Sequence, residues 1–547
     1  MFPTVKQEHM GSNMTVLPKK LTFSAEINIF DNAYHVLSLF LPRCEFAKGG
    51  NEADILALRR ESICTSEDYT LNIKDGKTVI EYCTYLGLRN ALATFSLIVT
   101  EQNDSLILPD TEITDSPTLT HRAILLDLAR GVMPIERLFD DMILIAKSRF
   151  NVIHLHLADA KGVAIELDSL PNEYRLPNYY TKMQVREIVK LASDLGLEII
   201  PEFDMPAHST MLNNVLPELK CDTDVKPQCL WTVCAGEEKV YELYRAIISE
   251  MIQMFPDGRY FHMGGDELEF SDLEGEKRRV CHWHECRKCK KKMADEGLQD
   301  RQELYYYFAN RINGYVKENG RQMIMWSDQI DCTRPAGLSK DILMQFWRIA
   351  ARGRGPHDGC TMQGQLDLGY KMINSYYWNT YIDEEHYMSA ENLAEWRWDE
   401  VPEVTESVKH QIVGSEICAW EYGNREMYRH YDHSLPSAIV LAGDKFWCGL
   451  KKRYDTSTAA GLTRAVLGAA VPVGFNPFEA IGDIYPPRLD EPCYIEKVAC
   501  GEEKIKEIID ILSDDSLYTA GDRARAKIYK KCAEYALSKI AESTTAG

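Results

Sequence analysis

The feature that most constrains the fold is a repeated rhythm that begins near residue 122. Short apolar runs alternate there with longer segments of helical periodicity, such as residues 134–150, 182–196 and 239–255. The apolar runs are AILLDL (123–128), NVIHLHLAD (151–159), EIIPEFD (198–204), RYFHMGGDE (259–267), QMIMWSD (322–328), ILMQFW (342–347), KMINSYY (371–377) and IVGSEICAWE (412–421). Such alternation is typical of βα units and a parallel sheet. Eight such runs within about 300 residues predict a (β/α)8 barrel, an α/β fold.

A doubly wound sheet is the structural alternative for this rhythm. It requires a phosphate-binding glycine loop after an early strand, and the first runs are not followed by one. The ends of the runs also favour a barrel, because almost all of them finish on a polar or aromatic residue. These residues are Asp127, Asp159, Asp204, Asp266, Trp326, Trp347 and Trp420. Active sites of barrels collect at the carboxyl ends of the strands, so these side chains are candidates for a functional site.

The rest of the chain divides around the barrel. The predicted units are a disordered start or a segment foreign to the natural chain (1–17), a small α+β domain (18–117), the barrel (118–455) and a mostly helical carboxyl-terminal region (456–547). Within the small domain, residues 69–83 predict a hairpin that turns at Asp75-Gly76, and residues 87–99 predict a helix. A helix over 434–447 is expected to complete the barrel.

Composition excludes two classes of partner. The formal net charge is −21, from 83 acidic residues against 62 lysines and arginines. Nucleic acids and anionic membrane surfaces need basic patches, so neither is expected to bind. Apolar runs stay shorter than the roughly 20 residues of a membrane span.

Cysteine usage and the first residues bear on the compartment. The start, MFPTVKQEHMGSNMTVLPKK, lacks the apolar segment of a secretory signal. The 16 cysteines are scattered, mostly in apolar contexts such as Cys418 in EICAW, where a buried free thiol is the ordinary outcome. We therefore expect a reducing, cytoplasmic location; the alternative is a secreted protein whose signal was removed before residue 1.

The segment YFHMGGDELEF (260–270) places Asp266 beside Glu267 directly after two glycines. Adjacent like charges and strand glycines both weaken a sheet, and a solvated acidic loop is the plain structural interpretation. Glycosidic bond hydrolysis also uses two carboxyl groups, one of which protonates the leaving oxygen. Neighbours in sequence cannot easily face each other across a sugar. The spacing therefore suggests a nucleophile that does not come from the protein.

Several motifs carry a resemblance to a known family. HMGGDE (262–267) resembles the H-x-G-G-D-E signature of glycoside hydrolase family 20, the β-N-acetylhexosaminidases. HRAILLDLAR (121–130), NVIHLHLAD (151–159) and IIPEFDMPAH (199–208) are similar to the family's first three strand motifs. The similarity runs in order from about residue 60 to about residue 450, through the small domain and the barrel.

The resemblance implies substrate-assisted catalysis, in which the substrate's 2-acetamido oxygen attacks its own anomeric carbon. Glu267 would act as general acid and then as general base, and Asp266 would orient the acetamido group. Tyr381, in the segment YID (381–383), would hold the acetamido carbonyl. Asp159 and His208 would hydrogen-bond towards the general acid and tune its pKa.

The resemblance also implies a set of sugar-binding residues. These are Arg122 on the 3- and 4-hydroxyls, Asp383 near the 4- or 6-hydroxyl, Trp326, Trp347 and Trp420 as walls of the pocket, and Glu421 as a hydroxyl acceptor. Glu421 departs from the family pattern, which usually has one more residue between that tryptophan and glutamate. Residues 160–169 also depart from it, because the family commonly carries a second acid and a Trp-Arg pair there. Leaving-group preference depends on this loop.

The expected activity is that of an exo-acting, retaining β-N-acetylhexosaminidase with no cofactor and no catalytic metal. Its partners would be a carbohydrate with terminal β-linked GlcNAc or GalNAc and a second copy of the chain in a homodimer. The alternatives are a narrower enzyme that prefers β-GalNAc or releases a disaccharide, and a non-catalytic glycan-binding relative.

Two metal hypotheses stay open beside this interpretation. His154 and His156 are two apart on a predicted strand, share a face and could bind a metal. Cys281, Cys286 and Cys289 lie close together in CHWHECRKCKKK (281–292), but their C-x4-C-x2-C spacing lacks a clear partner motif for zinc.

Overall fold

The computed structural model describes the chain from residue 4 to residue 449 with several gaps. The described residues are 4–61, 67–102, 105–226, 228–268, 281–333, 337–347, 360–383, 398, 404–421 and 425–449. The predicted helical region over 456–547 lies outside these residues.

The amino-terminal domain combines a mixed eight-stranded sheet with two helices, which confirms the predicted α+β fold. Its elements are β1 (Gln7–Pro18), β2 (Lys20–Ser24), α1 (Phe30–Phe40), β3 (Glu45–Lys48), β4 (Ile55–Arg59), β5 (Tyr69–Lys74), β6 (Lys77–Tyr82), α2 (Tyr85–Ile98), β7 (Thr100–Gln102) and β8 (Ser105–Asp115). The β5–β6 hairpin turns at Asp75 and Gly76, whose φ angles of 50° and 78° suit the predicted Asp-Gly turn.

For residues 1–17 the interpretation as a disordered start is wrong over the part that the structure describes, from residue 4 onward. Gln7–Pro18 forms β1 and pairs antiparallel with β8 at the edge of the sheet. Only Thr15 and Leu17 of this strand are buried, so the apolar alternation that marks a strand in sequence is almost absent. Pairing with β8 supplies the hydrogen bonds that hold the segment in place.

The second domain is a closed parallel barrel with surrounding helices. Its elements are β9 (His121–Asp127), α3 (Ile135–Lys147), β10 (Val152–His156), β11 (Ala158–Asp159), β12 (Gly162–Ile165), β13 (Arg175–Tyr180), α4 (Lys182–Asp194), β14 (Glu198–Glu202), α5 (Thr210–Val215), α6 (Glu238–Met254), β15 (Tyr260–His262), α7 (Arg287–Glu296), α8 (Arg301–Glu318), β16 (Gln322–Trp326), β17 (Leu343–Phe346), α9 (Met362–Asp367), β18 (Met372–Asn374), α10 (Tyr377–Thr380), β19 (Tyr381–Ile382), β20 (Ile412–Ala419) and α11 (Arg425–Cys448). Short 3-10 turns lie at Asn172–Tyr174, Pro217–Leu219 and Lys409–Gln411.

Eight of these strands close the barrel in the order β9, β10, β14, β15, β16, β17, β18, β20 and back to β9. All eight pairings are parallel. Each strand lies within one of the apolar runs, apart from the first residues of β9, so the predicted (β/α)8 barrel is confirmed.

The helices around the barrel follow the predicted amphipathic pattern. In α3, Leu138, Met142 and Ile145 are buried at helical spacing. In α4, Thr181 and Gln184 form a capping box that fixes where the helix begins. The helix expected over 434–447 is the second half of α11. Within the described part of the chain, each helix is either too short or too polar to cross a membrane.

Residues 160–169 do not form the open loop that the sequence suggests. Residues 162–165 form β12, which pairs with β11 and β13 in a small separate sheet. Gly162–Ile165 is buried throughout, since the apolar GVAI run packs inside the protein. Ala160, at the start of this segment, packs against the cluster of Ala207, Cys229 and Trp231.

The two domains meet at the amino ends of the barrel strands. Arg89 of α2 donates to the carbonyls of Ala146 and Phe150 at 2.6 Å each. Arg149, just before β10, pairs with Asp444 at 2.8 Å and lies 3.4 Å from Asp115 at the end of β8. Buried arginines therefore join the small domain to the closed end of the barrel, opposite the carboxyl ends of its strands.

Candidate active site

Asp266 and Glu267 lie in the turn that directly follows β15. Gly264 and Gly265 have φ angles of 69° and 99°, a left-handed region that residues with a side chain rarely adopt. A Cβ on Gly264 would lie 1.9 Å from Oδ1 of Asp204, so only glycine allows this close packing. The Gly265 N–H donates to the same carboxylate at 3.2 Å. The two glycines therefore bring the acidic pair against a third acid, at the end of β14.

Glu267 is fixed by its backbone, which leaves its carboxylate accessible. Its N–H donates to Asp328 Oδ2 at 3.0 Å, and its carbonyl accepts a hydrogen bond from Trp231 Nε1 at 2.9 Å. Its side chain is 27% exposed, against 15% for Asp266. Both acids can therefore contact a bound molecule.

His208 lies between the acidic pair and Asp159. Its Nε2 is 3.4 Å from Glu267 Oε2 and 3.6 Å from Asp266 Oδ2, and its Nδ1 is 3.0 Å from Asp159 Oδ2. Burial alone would lower the pKa of His208, but the carboxylates of Asp204, Asp159 and Asp266 raise it well above its usual range. The structure thus brings Asp159, His208 and Glu267 together in the order that the sequence predicts.

Asp159 is buried but remains charged. Burial alone would raise the pKa of this carboxyl, and the neighbouring Arg130 and His208 cations instead hold it well below its usual range. Arg130 Nη2 lies 2.8 Å from Asp159 Oδ2. A charged acid behind His208 keeps the imidazole oriented towards Glu267.

Two further acids border the pair. Burial, reinforced by the charge of Asp266, raises the pKa of Asp204 well above its usual range. The same two causes raise the pKa of Asp328 to about 7. The sequence marks Asp204 only as a strand end and does not predict Asp328. Asp328 could nevertheless have been inferred from the sequence, because it is the last residue of the apolar run that contains β16.

Aromatic residues from the last strands form a connected cluster at this end of the barrel. Trp347 stacks on Tyr381 with 6.0 Å between ring centroids, and Tyr381 lies 6.1 Å from Trp420. Trp420 lies 5.8 Å from Trp326, and Tyr377 lies 5.0 Å from Tyr381. Trp326 is 1% exposed and donates to the buried Glu202, so it supports the cluster from below. Trp347 is the more accessible wall.

Asp383 and Glu421 lie on either side of this cluster. Asp383 Oδ1 accepts a hydrogen bond from the Tyr377 hydroxyl at 3.2 Å. Glu421 directly follows the tryptophan of β20, has a φ of 65°, and donates its N–H to Asp127 Oδ2 at 2.8 Å. Both predicted residues are therefore placed at the carboxyl end of the barrel.

The prediction for Arg122 is wrong. This arginine is fully buried at the amino end of β9, where its guanidinium pairs with Glu67 and donates to the carbonyls of Leu119 and Arg149. It joins the two domains at the end of the barrel that lies opposite Asp266. The sequence already placed Arg122 before the first apolar run, at the amino end of the strand, and only the resemblance assigned it to the sugar.

Arg130 is the arginine that the structure places at the site. It lies three residues beyond β9, pairs with Asp127 and Asp159 at 3.0 and 2.8 Å, and stacks over Trp420 at 5.1 Å. Burial alone would lower the pKa of Arg130, but Asp159, Asp127 and Glu421 raise it well above its usual range. Its position just after a strand end was the signal for this residue.

A buried layer of histidines and glutamates lies beneath these residues. His154 contacts Glu416 at 2.7 Å and Glu202 at 3.2 Å, while His156 contacts Glu202 at 2.5 Å and Asp159 at 3.2 Å. All four ring nitrogens thus face carboxylates. A group of His154, Glu202 and His262 has ligand atoms within 4.8 Å of one another and could hold a metal, but ion pairing accounts for every ring nitrogen of His154 and His156.

Known proteins share this sequence and fold. Residues 119–446 match the glycosyl hydrolase family 20 catalytic domain. A beta-hexosaminidase of Porphyromonas gingivalis is 26% identical over 402 residues, which span 68% of this chain and 48% of that protein. A beta-hexosaminidase of Vibrio furnissii is 26% identical over 433 residues, which span 72% of this chain and 67% of that protein. The match thus spans about half of the first relative's length and about two thirds of the second's.

A solved structure agrees with the fold. The family 20 exo-β-N-acetylglucosaminidase of Vibrio harveyi, in complex with N-acetylglucosamine, superposes with a TM-score of 0.70 at 18% identity, covering 84% of this chain and 75% of that one. At this identity the likeness supports the fold alone, which comprises the barrel and the neighbouring small domain. The family match covers more than half of the 547 residues, and it includes the turn with Asp266 and Glu267. The chain therefore belongs to glycosyl hydrolase family 20.

Proposed function

We propose that this protein is an exo-acting β-N-acetylhexosaminidase that removes terminal β-linked GlcNAc or GalNAc with retention of configuration. The observation that carries the proposal is the arrangement around Glu267. Its carboxylate is partly exposed and lies 3.4 Å from His208, whose other ring nitrogen lies 3.0 Å from Asp159. A glutamate next to a cationic histidine can hold or release a proton as charge develops on the substrate.

In the first step, Glu267 protonates the glycosidic oxygen while the substrate's acetamido oxygen attacks the anomeric carbon. The aglycone leaves with the proton from Glu267, and an oxazolinium ring remains. Glu267 then takes a proton from water, which attacks the anomeric carbon and opens the ring. Two inversions at one carbon leave the configuration unchanged.

Asp266 is suited to the acetamido N–H and to the positive charge of the ring. Its Oδ1 is buried and has no hydrogen-bond donor among the described residues. A buried acceptor without a donor costs free energy, which a substrate N–H would recover. Asp266 and Glu267 cannot both oppose each other across a sugar, so separate tasks for the two acids fit their adjacency.

The aromatic cluster supplies the rest of the sugar site. Trp347 and Trp420 offer indole faces for the apolar side of a pyranose, and the Tyr381 hydroxyl is the candidate donor to the acetamido carbonyl. Arg130 takes the hydroxyl-binding role that the sequence had given to Arg122, with Asp383 and Glu421 as acceptors. The family match supports the exo action that is proposed here.

The deciding assay is hydrolysis of aryl β-GlcNAc and aryl β-GalNAc by wild type and Glu267→Gln. We expect kcat to fall about 10²–10⁴-fold in the variant, with a smaller loss for aryl groups that leave without protonation. Glu218→Gln, at an exposed glutamate of the segment between β14 and α6, is the matched control and should keep wild-type activity. Hydrolysis that is absent for both sugars in wild type, with intact binding, would favour the non-catalytic relative.

Substrate assistance has its own test. A thiazoline mimic of the cyclised intermediate should inhibit strongly, and proton NMR should show the β-anomer as the first product. Initial release of the α-anomer, or indifference to the thiazoline, would contradict the mechanism. The ratio of the two aryl-glycoside rates would show whether the enzyme prefers GalNAc.

The homodimer and the cytoplasmic location stay predictions, which light scattering and cell fractionation would check.

A further inference from the structure

Four cysteine thiols converge where the segment between β14 and α6 meets the start of α7. Cys221 and Cys234 come from the segment, and Cys286 and Cys289 come from α7. The Cys234 sulfur lies 3.5 Å from that of Cys286 and 3.6 Å from that of Cys289. All four sulfurs lie within 4.8 Å of one another, and all four residues are at most 2% exposed.

These distances match a tetrahedral metal–thiolate site. A zinc–sulfur bond of about 2.3 Å places the sulfurs of a ZnS4 tetrahedron about 3.8 Å apart. A disulfide would require about 2.05 Å between two sulfurs, and the cysteines here are free thiols. Four buried thiols that lie this close together are an unusual cluster, because ordinary apolar packing gives no reason for four sulfurs to converge.

The backbone around the cluster is shaped for close approach. A Cβ on Gly236 would lie 2.3 Å from the carbonyl carbon of Lys288 and 2.4 Å from the nitrogen of Cys289. Only glycine therefore lets the Cys234 turn pack against the first turn of α7. Hydrogen bonds fix the same contact, since Arg287 N–H donates to the Asp222 carbonyl at 2.9 Å.

The start of α7 favours thiolates over thiols. Cys286 is the N-cap residue of this ten-residue helix, and Cys289 lies in its first turn, in a C-x2-C pair. Unpaired N–H groups and the positive end of the helix dipole stabilise negative charge at this position. C-x2-C at the start of a helix, with two further cysteines from another segment, is an arrangement that structural zinc sites use.

We propose that Cys221, Cys234, Cys286 and Cys289 bind one structural Zn²⁺ ion as four thiolates. The site is closed, with no position left for water, so its role is to hold chain segments together. It does not depend on the proposed glycosidase activity. This group differs from the three cysteines considered in the sequence analysis, which were Cys281, Cys286 and Cys289. Cys281 faces Cys229 and Thr232 and lies outside the group of four.

Of the two segments joined by this ion, the one between β14 and α6 contacts the candidate active site. Trp231 lies between Cys221 and Cys234 in sequence; its ring packs 4.2 Å from His208, and its Nε1 donates to the Glu267 carbonyl. The cysteines of α7 follow the turn that carries Asp266 and Glu267. The zinc ion would therefore fix Trp231, and through it the distance between His208 and Glu267, without touching substrate.

The test is the metal content of the full chain, purified without a metal-affinity column and dialysed against metal-free buffer. Mass spectrometry of the dissolved sample should give about one zinc per chain. Cys286→Ser/Cys289→Ser should lower this at least tenfold. Cys281→Ser removes an equally buried thiol outside the group and should keep the full zinc content.

Two measurements on wild type keep the test decisive if the double variant does not fold. A mercurial thiol reagent should release zinc in step with modification of four thiols, and Co²⁺ in place of zinc should give the intense visible bands of a tetrahedral thiolate site. Protein that carries less than about a tenth of a zinc per chain, with these cysteines free or in disulfides, would overturn the proposal. Stoichiometric iron instead of zinc would overturn the choice of metal.

A coupled readout tests the structural role. Zinc-stripped wild type should show a lower melting temperature and a lower kcat, and added Zn²⁺ should restore both. If zinc-stripped protein kept both the kcat and the melting temperature of wild type, a role of the ion in positioning Trp231 would be contradicted.

Discussion

Two arginines flank the first barrel strand, and they have opposite surroundings. Arg122, at the amino end of β9, pairs with Glu67 of the small domain and is completely buried. Arg130, beyond the carboxyl end, pairs with Asp127 and Asp159 and lies over Trp420. Both arginines pair with carboxylates, so residue type and partner type are the same at the two ends, but Arg130 is 20% exposed and Arg122 is not exposed at all. The difference lies in what each pair leaves accessible.

At the amino end, Arg122 and Arg149 are each paired with a carboxylate of the described residues. At the carboxyl end four acids crowd together, and the pKa of Asp204 and of Asp328 is raised by burial and by Asp266. Crowding of like charges costs stability, which proteins tolerate at functional sites. The two ends should therefore respond to substitution in opposite ways.

The largest expected effect on activity is at the carboxyl end, with Asp266→Asn. We expect kcat/KM for aryl β-GlcNAc to fall about 10²–10³-fold, because the oriented negative charge beside the acetamido group is lost. The free energy of unfolding should stay equal or rise, because repulsion with Asp204 is relieved. Kinetics and urea unfolding measure the two quantities. Asp224→Asn, at a side chain that is 89% exposed, is the control. A loss of stability in Asp266→Asn without loss of activity would mean that Asp266 has a structural role and not a catalytic one.

The next effect is at the amino end, with Arg122→Met. Removal of one partner from a buried ion pair should lower the free energy of unfolding by about 3–5 kcal/mol, because Glu67 is left without its cation. The kcat/KM of the folded fraction should stay within about twofold of wild type, since Arg122 is remote from the site. Glu67→Leu/Arg122→Met should recover part of the lost stability. A large rise in KM in Arg122→Met, with wild-type stability, would instead show that Arg122 binds the sugar.

The third effect concerns the buried layer between the two ends. Burial alone would lower the pKa of His154, but Glu416 and Glu202 raise it to about 9 in the folded state. Its stabilising contribution is therefore complete below the unfolded-state pKa of about 6.5 and is lost as pH rises through about 9.

Wild type should accordingly lose stability between about pH 6.5 and pH 9, by on the order of 3 kcal/mol from this residue. Urea unfolding at a series of pH values measures the loss. His154→Gln should show a shallower decline over the same interval, and an unchanged slope would mean that the histidine is not charged in the folded protein.

The smallest effect is expected for Arg130→Lys. Lysine keeps the charge near Asp159 but loses the planar fork that contacts both acids, so kcat/KM should fall about tenfold, equivalent to about 1.4 kcal/mol. Stability should change less than in Arg122→Met. Michaelis kinetics at several pH values check this, and full activity in the lysine variant would show that the fork is not needed.

Much of the fold could be predicted because its signals are local. The apolar runs of the barrel strands and the helical spacing of α3 and α4 are visible without any tertiary contact. The turn at Gly264 to Glu267 was also readable, because glycines before paired acids have few structural uses. β1 was missed because only Thr15 and Leu17 are buried, so its place in the sheet depends on pairing with β8.

The candidate site could be predicted where a residue ends a strand, since all carboxyl ends of a parallel barrel meet. This rule placed Asp159, Trp420 and the acidic pair correctly at one end. The same rule favours Arg130, three residues beyond β9, over Arg122, at its amino end, but the resemblance had assigned the sugar to Arg122. Spacing could not show the four-cysteine group, because Cys234 and Cys286 are 52 residues apart in sequence.

The sequence by itself determined the alternation of strands and helices, the glycine turn and the family, because periodicity and backbone freedom act over a few neighbouring residues. Only the tertiary structure decided which acids have raised pKa values and which thiols meet. Those properties depend on distances of 2.8 to 3.6 Å between residues far apart in the chain, which the folding of the chain sets.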